Sequence, residues 1–235
     1  MIIINLFRTI LFYLILVITF FVGVTITLCL TPFSKSKTKP FQIAAHIWAN
    51  LLVKVSGIRC EVSGIENIPK DKALIFAANH QGAADILLVL AALPTTFRFA
   101  IKKELFKVPI FGWYLKKAGY FPIDRKLILS AYRTVENIIE YIKAGESVLI
   151  FPEGTRTKTG ELGRFKRGSL LAALKSGAPI IPIAISGSFD LMPKGSFIIN
   201  AHPVKFNVGK PIEINSEADY DSKLAEVRES IARML

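Results

Sequence analysis

The chain has 235 residues, 51% of them hydrophobic, with a mean hydropathy of +0.43 and a formal charge of +12 from 30 Lys and Arg against 18 Asp and Glu. That length suits one catalytic domain with an attached element, or two small domains. The composition is too apolar for an ordinary soluble domain and too polar for a multi-span membrane protein. The positive balance calls for anionic partners, and the absence of an RNP1-like aromatic motif, zinc-finger spacing or basic heptads disfavours nucleic acid relative to lipid headgroups or phosphorylated substrates.

Residues 9–31 carry no charged side chain and are rich in Ile, Leu, Phe and Val. About 20 such residues in a helix are enough to span a hydrocarbon core. No short h-region followed by an A-x-A-like cleavage site is present, so the segment reads as an uncleaved anchor. Pro32 then precedes Lys35, Lys37 and Lys39. Lysines just past an apolar segment sit well among anionic headgroups, at about 1 kcal/mol each, and mark this end as cytoplasmic. Phe41, Ala44, Trp48, Leu51, Leu52 and Val55 recur at helical spacing, and Gly57 is a fitting stop. The spacing predicts a helix hairpin over residues 1–57, with its second stripe facing either the membrane or the rest of the protein. Cys29 and Cys60 read as apolar fillers rather than a disulfide framework.

From residue 58 to 235 short apolar runs alternate with helical stretches. Strands are predicted at Ile58–Ser63, Ala73–Ala78, Phe97–Ile101, Val148–Phe151, Pro179–Ile185 and Val204–Val208. Helices are predicted at Ile86–Leu93, Ser130–Lys143, Ser169–Lys175 and Glu217–Met234. This alternation predicts an α/β domain with a mixed, largely parallel sheet flanked by helices. Ligand chemistry in such sheets gathers at the carboxyl ends of strands, where two polar clusters fall: Asn79-His80 and Pro152-Glu153-Gly154-Thr155-Arg156.

His80 and Asp85 lie five positions apart. The offset fits a histidine in the turn before a helix whose first turn carries the aspartate. An aspartate on one ring nitrogen fixes the tautomer and leaves the other nitrogen to accept a proton, which makes a suitable general base for an alcohol. A serine hydrolase would need a nucleophile elbow of the form G-x-S-x-G. None is present, and Ser186-Gly187-Ser188 does not match it. The simpler scheme has the substrate's own hydroxyl attack a thioester. A non-enzymatic basic membrane protein would explain the anchor and the charge, but not two polar clusters at strand ends.

Asn79-His80 with Asp85 resembles the NHxxxxD motif of the glycerolipid acyltransferases, and Phe151-Pro152-Glu153-Gly154-Thr155-Arg156 matches that family's FPEGTR motif letter for letter. Ile123-Asp124-Arg125 and Ile181-Pro182-Ile183 resemble two further blocks in the family's order. Within the family, the chain most resembles bacterial members that acylate 1-acylglycerol-3-phosphate to phosphatidic acid at a membrane, with the same chemistry on another lysolipid acceptor as the alternative. The resemblance implies that His80 is the base and Asp85 its partner. It implies an acceptor site formed by Lys103, Arg125, Glu153, Gly154, Thr155, Arg156 and Lys166, with Arg156 on the phosphate. Membrane lipid and a thioester of coenzyme A or acyl carrier protein are the implied partners, with no cofactor and no metal. The implied location is the inner or plasma membrane, the site facing the cytoplasm. A phosphomonoester independently suits arginine's bidentate fork and lysine point charges. Asp124 reads as a salt-bridge partner for a nearby cation, Val108–Tyr114 as a candidate wall for the acyl chain, and His46 and His202 receive no role. Two positions depart from the family pattern: Gly82, where many members carry serine, and Thr157, where serine is common.

Overall fold

A computed structural model of the chain describes residues 2–124, 128–192, 195–200 and 202–235. Helix α1 runs Ile2–Leu30, and the stretch Asn5–Phe33 is long and apolar enough to cross a membrane. Its threonines do not interrupt it. Thr9, Thr19, Thr25 and Thr27 each donate a hydroxyl hydrogen bond to the carbonyl four residues back, which keeps these groups satisfied in apolar surroundings. A 3-10 turn at Thr31–Phe33, with Pro32 in it, ends the helix. Helix α2, Lys39–Val55, restarts with Pro40 in its first turn, where the missing N–H costs nothing.

The predicted stripe on α2 divides in the structure. Phe41, Ala45, Ala49 and Leu52 are buried, while Leu51 and Val55 face outward with Ile43 and Ile47. The cause is that α2 packs on two helices: Trp48 donates to Thr19 of α1 (3.0 Å), and Asn50 donates to the carbonyl of Ala91 (3.0 Å). His46 Nδ1 hydrogen-bonds the Leu90 carbonyl at 2.8 Å, a structural use for that histidine.

The remaining elements are β1 (Cys60–Ser63), β2 (Ile75–Ala78), α3 (Asp85–Ala92), β3 (Phe97–Lys102), α4 (Phe111–Lys117), β4 (Phe121–Ile123), α5 (Ile128–Lys143), β5 (Ser147–Ile150), α6 (Leu171–Ser176), β6 (Ile180–Ser186), α7 (Ser188–Leu191), β7 (Val204–Val208) and α8 (Tyr220–Met234). The strands form one seven-stranded sheet in the order β1-β7-β6-β2-β5-β3-β4. All neighbouring pairs are parallel except β6 with β7. The mixed, largely parallel expectation therefore holds. The six expected strands are found with ends shifted by a residue or two, and β4, α4 and α7 are additional.

Central strands of a parallel sheet are covered on both faces and read as unbroken apolar runs, as β2 does in Ile75-Phe76-Ala77-Ala78, wholly buried. Phe76 and Ala78 join a core with Leu149, Ile181, Ile183 and helices α1 to α4. Ile75 and Ala77 join a second core with Val148, Ile180 and helices α5, α6 and α8. The chain leaves β2 over the first face towards β3, and leaves β5 over the second face towards β6. Adjacent strands with crossovers on opposite faces open a crevice at their carboxyl ends. Ala77 of β2 is in register with Ile150 of β5, so the two polar clusters are neighbours at that crevice.

Candidate active site

His80 sits in the turn after β2 and Asp85 opens α3, both buried. Asn79 anchors the turn from behind. Its amide donates to the carbonyl of Ile185 (2.8 Å) and accepts from the N–H of the same residue (2.7 Å), which ties the end of β2 to β6. Asp85 Oδ2 lies 2.7 Å from His80 Nδ1 and also accepts the backbone N–H of Gln81 (2.7 Å) and Gly82 (2.9 Å). An acceptor on Nδ1 assigns the proton to that nitrogen and leaves Nε2 as the basic one.

The turn after β5 holds the same histidine from the other side. The ring of Phe151 stacks on the imidazole, with centroids 4.1 Å apart and planes 18° from parallel. Glu153 Oε1 accepts the backbone N–H of His80 (2.8 Å), and its Oε2 accepts that of Gly163 (3.0 Å). Thr157 N–H donates to the His80 carbonyl at 2.9 Å. His80 is thus fixed through its ring, its N–H and its carbonyl. Burial raises the Glu153 carboxyl above its ordinary value; the two backbone bonds and nearby His80 pull it back only in part, and Asp85 adds to the rise.

Gly154 adopts φ +69°, and a Cβ there would lie 2.7 Å from Lys166 Cε and Nζ. The positive φ favours glycine, and the contact places Lys166 over the turn. The Lys166 N–H donates to the carbonyl of Pro152 (2.9 Å). Gly82 has a packing reason. A Cβ there would come within 2.4 Å of the Ser188 carbonyl oxygen and 2.9 Å of that of Met192, so α7 occupies the room a serine would need.

Beside His80 an apolar cavity of about 490 Å³ extends between α1, α2 and β3. Phe12, Leu16, Ala45, Phe99 and Tyr114 line its depth, and Arg156 lines it together with His80. The predicted wall Val108–Tyr114 contributes Phe111 and Tyr114, not its whole length.

The fold brings His80, Asp85, Glu153, Gly154, Arg156 and Lys166 to one crevice, with Thr155 exposed on the same turn. Lys103 stands at the end of β3, ion-paired with Asp124, which raises its pKa; Lys102 lines the cavity instead. Arg125 lies outside the described residues. Among the described residues, no group of three His, Cys, Asp or Glu side chains is arranged to hold a metal ion. Sequence reasoning passed over Phe151 as a stacking partner, although it stood inside a matched motif. It also passed over Gln81, whose amide donates to the carbonyl of Gly160 (2.8 Å) and for which no sequence signal exists.

The chain belongs to the Acyltransferase family, whose model matches residues 59–186. It is 35% identical over 184 residues to a 1-acyl-sn-glycerol-3-phosphate acyltransferase of Pseudomonas aeruginosa, covering 75% of this chain and 70% of that protein. It is 34% identical to a chloroplast enzyme of the same name from Arabidopsis thaliana, over 90% of this chain and 60% of that one. A similar chloroplast protein of Brassica napus, also 34% identical, is spanned over 54% of its length. The crystal structure of the 1-acyl-sn-glycerophosphate acyltransferase PlsC from Thermotoga maritima superimposes with a TM-score of 0.84 at 29% identity, over 99% of this chain and 96% of that one.

Proposed function

We propose that the protein transfers a fatty acyl group from a thioester of acyl carrier protein or coenzyme A to the sn-2 hydroxyl of 1-acyl-sn-glycerol-3-phosphate, giving phosphatidic acid. One observation carries this reading: a tautomer-fixed histidine stands where an apolar cavity meets Arg156. An acyl chain suits the cavity and a phosphate suits Arg156. His80 Nε2 takes the proton of the attacking hydroxyl while the oxygen bonds to the thioester carbonyl carbon. The tetrahedral adduct then collapses, the C–S bond breaks, and the imidazolium returns its proton to the departing sulfur. No acyl-enzyme forms, and the step needs no metal or cofactor. Asp85 keeps the proton on Nδ1 and stabilises the imidazolium. Glu153 positions the His80 backbone, and Arg156 with Lys166 offers charge to the phosphate.

In this reading residues 1–57 dock the enzyme on its membrane and residues 58–235 carry the chemistry. The outward side chains of α1, among them Phe7, Leu14, Ile18 and Val22, would then lie in lipid. Lys35, Lys37 and Lys39 support a reading in which their end lies on the cytoplasmic side of the inner or plasma membrane.

The test is transfer of labelled acyl groups from both donors to 1-acylglycerol-3-phosphate in detergent micelles, with wild type beside His80→Ala. Phosphatidic acid from wild type, with a loss of ~10²–10⁴-fold in the variant, is the expected result, and the two donor arms identify the thioester. A wild type inactive with both donors would overturn the acceptor assignment.

A further inference from the structure

We propose that the segment Leu105–Trp113 is a second membrane-contacting element, a rigid wedge seated in the headgroup layer of an anionic bilayer beside the helix pair; this rests on the membrane-docking reading above. Leu105, Val108, Ile110 and Trp113 are each more than a third exposed, at 41%, 44%, 47% and 37%. Scattered surface hydrophobics are ordinary, but a contiguous apolar patch with a polar rim marks an interaction site. The flanks here are basic: Lys102 and Lys103 precede the segment, Lys107 lies within it, and Lys116 and Lys117 follow it, all exposed, with Lys103 paired to Asp124 and Lys102 3.9 Å from Glu104. Exposed lysines flanking apolar side chains complement anionic headgroups over hydrocarbon. Glu104 is the single acidic residue within the stretch 102–117.

The backbone supplies a second observation. Ile110 has φ +62°, the one positive φ at a non-glycine among the described residues. Phe111 N–H donates to the Pro109 carbonyl at 2.6 Å, which closes a three-residue turn of the strained γ type around it. A β-branched residue gains nothing locally from this conformation. The side chain at this turn is nearly half exposed, and strain of this kind clusters where function needs it. The turn is also stiff. Gly112 N–H donates to Val108 (2.7 Å), and a Cβ at Gly112 would lie 2.2 Å from the carbonyl oxygen of Phe106.

The inner side of the wedge is clamped to the helix pair. The rings of Phe111 and Tyr114 pack on Phe20 of α1, with centroids 5.7 and 5.4 Å away. Trp113 stands edge-on to Phe41 of α2 at 5.8 Å. Leu105 and Phe111 meanwhile line the apolar cavity. Seating the wedge in lipid would bring the cavity's flank to the depth of the acyl chains.

The chain has two tryptophans, Trp48 and Trp113. Trp48→Phe therefore leaves Trp113 as the only reporter, and Trp113→Phe leaves Trp48 as a control. The full chain is reconstituted into vesicles of phosphatidylglycerol and phosphatidylcholine whose acyl chains are brominated near the ester end or near the methyl end. The expected result is that Trp113 emission is quenched at least twofold, more strongly by ester-end bromine. Ile110→Gly relieves the strain while removing the apolar tip. It should raise thermal stability yet weaken the quenching of Trp113, a pair of changes that a merely structural turn would not give. Protein that floats with the vesicles while Trp113 stays unquenched overturns the wedge and leaves the helix pair as anchor. Wild type that fails to float overturns the membrane reading beneath both.

Discussion

The two faces of the sheet are built from the same strands and serve opposite ends. On the face covered by α5, α6 and α8, small and branched residues interlock: Ala172, Ala173, Val227 and Ile231 are fully or nearly fully buried. The helices there turn polar sides to water, as the Asp, Glu, Lys and Arg of α8 illustrate. On the face covered by α1 to α4 the packing is left open beside His80, where the 490 Å³ cavity lies. The outer side of α1 carries Leu6, Phe7, Ile10, Leu14, Ile18 and Val22 instead of charges. A close-packed interior is the default for proteins, and the open face departs from it beside His80. The lesson is that stability and chemistry are separable here by side of the sheet.

Variants should break that separation in order of effect. Asp85→Asn touches the seam between the faces. It removes the charge that fixes the tautomer of His80 and stabilises its protonated form, and activity should fall by about 10²–10⁴-fold with the fold retained by circular dichroism. Activity within a fewfold of wild type would mean that His80 is not the base. Ile231→Ala works on the closed face. It should cost about 2–5 kcal/mol in denaturant unfolding and leave turnover per folded molecule unchanged below the transition; a proportionate loss of turnover would show that the faces are coupled. Ala45→Leu puts volume into the open cavity. It should lower transfer of long acyl chains by about tenfold, the equivalent of roughly 1.4 kcal/mol, and spare short ones. Equal loss for both chain lengths would place the acyl chain elsewhere.

The sequence announced the closed logic of the sheet better than its margins. Six strands were legible because runs such as Ile75-Phe76-Ala77-Ala78 are apolar without alternation, the mark of a strand covered on both faces. Strand β4 has three residues and α4 seven, too short for any period to declare itself. His80 and Asp85 were legible from their spacing at a strand end, and the turn after β5 from its motif. What holds these two turns together was not. The bond from Glu153 to the His80 N–H and the bracket from Asn79 to Ile185 link residues 73 and 106 positions apart, and no local pattern encodes such a distance. Glu153 read only as a member of the acceptor site; the structure adds that each of its oxygens accepts a backbone N–H.

Glu153 gives the subtlest test of how the two turns depend on each other. In Glu153→Gln an NH₂ group must face one of the two N–H donors, at a cost of about 1–3 kcal/mol, and the His80 backbone loses its fixed position, so turnover should drop without a rise in KM for the acyl donor. The pH dependence adds a sign. Because burial raises this carboxyl in the folded state above its ordinary value of 4.5, the native protein binds this proton more readily than the unfolded chain does. Its contribution to stability is then complete below the unfolded value and is lost as pH rises through the folded one. Glutamine does not titrate. The Tm of wild type minus that of Glu153→Gln should accordingly be largest in acid and shrink as pH rises above 4.5. A difference that stays flat, or grows with pH, would show that the backbone bonds to His80 and Gly163 outweigh the cost of burying the charge.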